Sequence, residues 1–378
     1  LWIKNYTAPP GNITVQFGPV DPVSRVFFMS HKETMQWEGY DLDKSNKLWG
    51  PVGKTRDINF YPASVGMGFS GQIGFVAYGK LYTAGYGGEL FCYDSRTGTL
   101  LWKYNNTDSG LETPWGLYPL FIGSIADGKV YIYSNEHSPN APLYKGYKVR
   151  CINASTGEEL WTLLGWAGVG SFADCGWPVA DGYLVYFNSY DGQLYCLGRG
   201  PTATTVEVSP ATVSTGSYVV IRGSVIDISP GTKQHEQAAR FPNGVPAVAD
   251  ECMGPWMEYV YMQKPMPANA KGVWVKLDAV NVYTGEYIDI GGTCTDPYTG
   301  IFTVSWQPSK EGLWWIIARF PGSKSYWPSF AQKSVMVTAP PEAPAAPAYT
   351  TMDIAIITAV IIAIIIGIAN LYIMLKKK

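Results

Sequence analysis

The chain has 378 residues, more than one ordinary domain holds, with a formal net charge of −2 and 15% charged residues. Aromatics reach 14%, and tyrosine (26), tryptophan (14) and glycine (41) are abundant, a mix that suits strands and tight turns better than helices. That balance offers no basic footprint for nucleic acid, and the long hydrophobic stretches argue against a disordered chain.

The first two hundred residues repeat themselves. Residues 88–102 read GELFCYDSRTGTLLW and residues 147–161 read YKVRCINASTGEELW, with a degenerate copy, QWEGYDLDKSNKLW, at 36–49. GQLYCL at 192–197 starts a further copy, and the chain opens on Leu1-Trp2, which looks like the tail of another. In each unit an alternating strand meets a turn at Asp94–Gly98 or Asn153–Gly157. The Asp or Asn caps that turn and the glycine takes its left-handed position. A second strand then ends in Leu-Trp, and a further hairpin precedes each unit, as at Asp127-Gly-Lys-Val-Tyr. Two hairpins per roughly 50 residues make a four-stranded propeller blade.

Gly-x-Leu-x-Cys-x-Asp-x-x-Thr-Gly-x-x-Leu-Trp resembles the repeat of the PQQ-binding-like (quinoprotein-type) β-propellers. The resemblance covers residues 1–200 and implies an all-β fold with about four blades present. It gives Trp49, Trp102 and Trp161 the role of docking between neighbouring blades. Propellers of this family usually close with seven or eight blades, so further blades are expected before Leu1. Two functions follow from the resemblance. Many such propellers, outer-membrane assembly lipoproteins among them, are scaffolds without cofactor; others are dehydrogenases that hold PQQ with Ca²⁺. No adjacent cysteine pair of the dehydrogenase kind is present, and Glu136, Asp174 and Asp181 all lie in turn-like contexts. The scaffold reading therefore leads, with no catalytic residue assigned.

The six cysteines are Cys92, Cys151, Cys175, Cys196, Cys252 and Cys294, and the three histidines are far apart. No Cys-x-x-Cys occurs, so zinc, haem and iron–sulfur sites lack support and no metal site is expected. Disulfides and buried thiols both remain open. Cys92, Cys151 and Cys196 recur at one repeat position, either as small packed residues or, for the later two, as partners of Cys175.

Residues 201–338 change character. Seven predicted strands (Thr204–Val208, Tyr218–Asp227, Val273–Tyr283, Tyr287–Thr293, Ile301–Trp306, Leu313–Phe320, Ser334–Val337) suggest an immunoglobulin-like sandwich. Gly300-Ile-Phe-Thr-Val-Ser-Trp resembles bacterial and archaeal surface Ig-like domains, which implies that Trp306 and Trp314 pack the core. Between two of these strands, residues 229–270 form an unusually long connection. Its Trp256, Met257, Tyr259, Tyr261 and Met262 are either a contact surface for a partner or a lid on the sandwich. Cys252 is a candidate disulfide partner for Cys294, which would pin the connection to a strand. Asp250, Glu251 and Glu258 match no calcium-loop spacing.

A Pro/Ala-rich stalk (339–353) leads to 354–375, 22 residues without a charge, then Lys376–Lys378. At 1.5 Å per residue that helix is roughly 33 Å long, enough to cross a bilayer. The positive-inside rule puts the lysines in the cytoplasm and everything before Asp353 outside. Four sequons, Asn5, Asn12, Asn105 and Asn153, suit a glycosylated exterior. The stalk, span and lysine tail resemble those of archaeal surface proteins of this propeller group. The expected function is a membrane-anchored, non-enzymatic surface protein that binds a protein or glycan partner; a structural spacer in a surface layer is a further alternative.

Overall fold

The computed structural model describes residues 2–53, 74–84, 88–106, 120–134, 148–165, 177–188, 191–341 and 349–377. Four antiparallel sheets follow one another. The first is β1 (Val15–Asp21), β2 (Val26–His31), β3 (Gln36–Asp41) and β4 (Lys47–Val52), and the second β5 (Phe75–Ala77), β6 (Lys80–Ala84), β7 (Glu89–Asp94) and β8 (Leu100–Asn105). The third is β9 (Leu120–Ala126), β10 (Lys129–Ser134), β11 (Lys148–Asn153) and β12 (Glu159–Leu164). The fourth has three strands, β13 (Val179–Ala180), β14 (Tyr183–Asn188) and β15 (Gln193–Leu197).

Each sheet buries both faces where it has neighbours. Val26 and Phe28 of the first sheet share a core with Leu81, Phe91 and Tyr93 of the second. Tyr82 and Leu90 of the second pack on Val130, Ile132 and Ile152 of the third. Tyr131 and Tyr133 then meet Leu184 and Tyr186 of the fourth, with Trp177 stacked between Tyr133 and Tyr186 at 5.0 and 5.2 Å. This is why blade strands such as Val26–His31 are buried along their whole length instead of alternating.

The turns explain the repeat. Asp94 Oδ1 accepts from the N–H groups of Arg96 and Thr97 at 2.9 and 2.8 Å. Asn153 Oδ1 does the same for Ser155 and Thr156. Gly98 and Gly157 then take φ of +71° and +78°. In the degenerate first copy Asp41 caps Asp43 and Lys44, and Ser45 adopts φ +56° where the others have glycine.

The second half is a two-sheet sandwich. One sheet holds β16 (Thr202–Ser209), β18 (Val219–Asp227), the short β19 (Val245–Pro246) and β22 (Ile301–Trp306). The other holds β17 (Thr212–Ser214), β20 (Trp274–Asn281), β21 (Tyr287–Cys294), β23 (Gly312–Phe320) and β24 (Ser329–Thr338), in the order β17-β24-β23-β20-β21, with β17 parallel to β24. Alternate residues of the facing strands, including Val219, Ile221, Leu277, Ile316 and Val335, form one core. Trp306 and Trp314 lie in it edge to face, 6.2 Å apart. The seven expected strands are present; β17 and β19 are additional, and β24 begins five residues earlier than expected.

The 229–270 connection carries α1 (His235–Arg240) and α2 (Met253–Tyr261). One expectation needs correction. The Cys252–Cys294 disulfide is not formed, and Cys92, Cys151 and Cys196 are free as well. Cys252 is buried at the N-cap of α2 with Sγ directed at the Asn269 carbonyl at 3.6 Å, while Cys294 is exposed at the end of β21. Cys175, Glu136, Asp174 and stalk residues 342–348 lie outside the described residues.

The chain ends in α3 (Thr351–Lys376), none of whose residues is buried against the rest of the fold. It starts three residues earlier than the uncharged run, because Thr350 and Asp353 form a reciprocal capping box at its N-terminus.

Candidate functional site

The repeat tryptophans bridge successive sheets. Trp49 Nε1 donates to the carbonyl of Ser95 at 3.0 Å, and Trp102 Nε1 to that of Ala154 at 3.3 Å. Each indole lies flat on the glycine of the receiving turn: a Cβ on Gly98 would sit 2.5 Å from Trp49, and one on Gly157 2.7 Å from Trp102. Only glycine allows that approach, so the turn serves both backbone geometry and contact. Trp161 lies beside Tyr131 of its own sheet, ring centroids 6.1 Å apart, as Trp102 lies beside Tyr82 at 5.9 Å and Trp49 beside Phe28 at 5.7 Å. Arg199, at the receiving position of the fourth sheet, accepts instead from Tyr183 Oη at 3.2 Å.

The cysteine position is explained by the same residues. Cys92 is paired across the strands with Trp102 and Cys151 with Trp161; in the first sheet Gly39 is paired with Trp49. A small residue is required opposite the indole, and a Cβ on Gly39 would fall 2.2 Å from it. Burial pushes the Cys92 and Cys151 thiols up to about 12, which makes them packing groups rather than nucleophiles.

The 229–270 segment has its own small core of Val245, Val248, Cys252, Trp256 and Val260. Trp256, one of the candidate contact residues, is 1% exposed. Tyr259 packs edge-on against Phe241 at 5.9 Å and lies 5.4 Å from Trp256; Met257 and Tyr261 are half-buried. Arg240 donates to the carbonyls of Tyr259 and Val260, and Gln237 also donates to Val260, so the C-terminal end of α2 is closed.

What α2 touches is the third sheet. Glu258 Oε1 accepts from the Leu164 N–H of edge strand β12 at 2.8 Å, and Gly254 approaches so closely that a Cβ would lie 2.9 Å from the Thr162 carbonyl. Burial raises the Glu258 carboxyl above its ordinary range, although the Leu164 amide and nearby Lys148 and Lys264 oppose the shift. The segment therefore covers a strand edge that would otherwise stand open. Its other acids turn elsewhere, Glu236 towards Arg240 at 3.9 Å. Asp250 accepts from Ser323 Oγ and from the Lys324 and Ser325 N–H groups, and Glu251 pairs with Lys271. Among the described residues no three His, Cys, Asp or Glu side chains converge to hold a metal ion.

One buried polar group went unnoticed in the sequence. Glu38 in β3 accepts from Tyr40 Oη at 2.5 Å and from Lys47 Nζ, with His31 Nε2 3.6 Å away. The only signal for it was charge within a strand. Of the sequons, Asn5, Asn12 and Asn105 are exposed, while Asn153 holds the second repeat turn.

Residues 35–198 match the family model described as outer membrane protein assembly factor BamB. The chain carries PQQ-like β-propeller repeats. A comparison with curated proteins gives no match. Among solved structures, BamB from Moraxella catarrhalis is similar at 13% identity and TM-score 0.30, over 56% of this chain and 60% of that one. A superoxide reductase (neelaredoxin) from Ignicoccus hospitalis is similar at 14% identity and TM-score 0.21, over 36% of this chain and 80% of that one. The computationally designed Ika4 protein is similar at 10% identity and TM-score 0.32, over 51% and 95%. This chain thus spans less than two thirds of the BamB structure's length.

Proposed function

We propose that the chain is a membrane-anchored, extracytoplasmic scaffold that presents its propeller sheets and an Ig-like sandwich for protein or glycan binding and performs no catalysis. The observation that carries the reading is α3: 26 residues, apolar on all sides, unburied by any other element. At 1.5 Å per residue it is roughly 39 Å long, enough to span a bilayer of about 30 Å with its ends in the interfaces. Lys376, Lys377 and Lys378 favour the cytoplasmic side, which leaves Asp353 at the outer end.

The match of residues 35–198 to BamB-type repeats supports a scaffold role. The Ig-like reading is supported by strand order, since β16, β18 and β22 face a sheet in which β17 runs parallel to β24. Trp49 and Trp102 act as blade-docking residues; exposed Asn5, Asn12 and Asn105 serve as glycosylation sites.

Two measurements test this. Full chain in nanodiscs is exposed to solubilised envelope proteins and glycans, and specific retention is expected; failure to retain any fraction removes the binding role. Reconstitution with PQQ and Ca²⁺ is expected to give no reduction of an acceptor dye with alcohols or sugars. Turnover would make the chain a dehydrogenase.

A further inference from the structure

We propose that the outer face of the five-stranded sandwich sheet is a platform for a neutral, extended glycan, which runs along β20 with sugar rings on Trp274 and Trp315. The inference deepens the glycan side of the scaffold reading and rests on it.

Strand alternation places the site. Val275, Leu277 and Ala279 of β20 point into the sandwich core, so Trp274, Lys276, Asp278 and Val280 point out. The register sets the rows across the sheet. Lys276 is paired with Arg319 of β23 and Gly292 of β21, Asp278 with Ile317 and Asp289, and Val280 with Trp315 and Tyr287. Along the strand the order is therefore Trp274, then the charged rows, then Trp315 and Tyr287. From residue 274 to residue 280 this stripe is roughly 20 Å long, at about 3.3 Å per residue, which is room for several sugar rings in line.

The aromatic ends face solvent: Trp274 is 49%, Trp315 40% and Tyr287 55% exposed. Trp274 lies across Gly292 of the edge strand, where a Cβ would sit 2.3 Å from the indole. The glycine thus lets the ring rest on the sheet. Between the aromatic ends lies a buried acid at an outward position. The Asp278 side chain is 2% exposed. It accepts from Tyr287 Oη at 2.6 Å and pairs with Arg319 Nη2 at 3.1 Å and Lys276 Nζ at 3.9 Å. Lys276 also bonds Asp289, whose carboxylate stands directly opposite Asp278. Like charges opposite one another across a strand pair destabilise a sheet, and a buried carboxylate adds nothing to the apolar core beneath it. What the network does is hold the solvent-reaching groups of Arg319, Lys276, Asp289 and Tyr287 in place. Groups ordered in advance lose less freedom when a ligand arrives.

The ligand class follows from this pattern. A pyranose ring offers an apolar C–H surface to an indole, and its hydroxyls both donate to carboxylates and accept from guanidinium and ammonium groups. Broad aromatic surfaces beside fixed polar groups match a chain of such rings. Lys276 and Arg319 are balanced by Asp278 and Asp289, so the face draws in neither an acidic polymer nor a strongly charged protein patch. A protein interface carries apolar anchors at its centre and charges at its rim. Here the charges are central and the aromatics lie at the ends.

The test titrates full chain in nanodiscs with short neutral gluco- and manno-oligosaccharides and with an acidic oligosaccharide, followed by calorimetry at low and high salt. Binding of a neutral oligosaccharide is expected, changing less than about twofold with salt. Trp274→Leu and Trp315→Leu, which keep apolar bulk on the sheet but remove the ring, are each expected to weaken it roughly tenfold. Tyr218→Ala, at an exposed tyrosine before β18, is expected to leave it unchanged. Trp274→Phe is expected to keep part of the affinity, which reads the ring even where the leucine variant melts early. Undiminished binding by both leucine variants overturns the assignment of this face while the glycan reading stands. Binding of no oligosaccharide, with envelope proteins still retained, overturns the proposal and leaves the scaffold reading; retention of no envelope fraction at all is the failure of that reading itself. A preference for the acidic oligosaccharide overturns the proposal. So does a retained protein that the leucine variants release, since the face is then a protein interface.

Discussion

Trp102 lies flat on Gly157, two residues 55 positions apart in sequence but in ring contact between the second and third sheets. Sheet-to-sheet packing in this half is organised around that relationship and its counterpart at Trp49 and Gly98. Gly98→Val would add a β-branched side chain at φ +71°, where a Cβ already meets the indole at 2.5 Å. Left-handed strain and overpacking together are expected to cost about 2–4 kcal/mol. Trp49→Ala, which empties the same contact from the other side, is expected to cost about 3 kcal/mol. Urea unfolding followed by tryptophan fluorescence reads both. A double variant no worse than either single one places the two residues in one contact; additive losses would deny it.

Glu258 offers a second test. Glu258→Ala leaves the Leu164 N–H on β12 without an acceptor, a loss of about 1–3 kcal/mol if water does not replace it. Hydrogen exchange at the Leu164 amide should accelerate while exchange in β18 does not. The pH dependence has a definite sign. Burial raises the Glu258 carboxyl above the ordinary 4.5, so the docked form binds its proton more tightly than the undocked one. This contribution to docking therefore weakens as pH rises from 4.5 through the raised value, and strengthens on acidification. Glu258→Gln should flatten that dependence; an unchanged profile would show that another group causes it.

Asp250 behaves in the opposite sense. Its burial would raise the carboxyl, but bonds from Ser325, Lys324 and Ser323 outweigh burial and hold it below 3.8. Stability from this contact is present above pH 3.8 and is lost as pH falls through the lowered value. Asp250→Asn should remove that acid-sensitive component and loosen the turn between β23 and β24, visible as faster amide exchange at Ser325.

Thiol accessibility separates the cysteines. Native protein at low concentration should label rapidly at Cys294 and Cys196, both exposed. Cys92 and Cys151, pushed up to about 12 by burial, should label only on unfolding. Peptide mapping after a short pulse of iodoacetamide reads this directly, and native labelling of Cys92 would mean that the second and third sheets are not packed together.

Much of the architecture was legible because it is local. The Asp/Asn–Gly turns, the Leu-Trp strand ends and the uncharged C-terminal run each follow from short-range stereochemistry or hydropathy. The role of the recurrent cysteine was not. The sequence left two readings open, small packed residue or disulfide partner, and the choice depends on Trp102 and Trp161 lying opposite Cys92 and Cys151 across a strand pair. The helices of residues 229–270 were not legible for a related reason. The hydrophobic pattern of α2 is short and its helix is held by Arg240, Gln237 and β12, contacts that no local window contains. The aromatic cluster that looked like a surface for a partner is largely spent on the chain itself, with Trp256 at its centre.

The most direct test of the central claim is the topology of α3. Full chain is expressed in cells with an epitope after Lys378, and intact cells are treated with protease. The account predicts that the propeller and sandwich are digested from outside, that the epitope stays protected until the membrane is permeabilised, and that the epitope fragment resists alkaline extraction. Protected domains, or a fragment released by alkali, would contradict it.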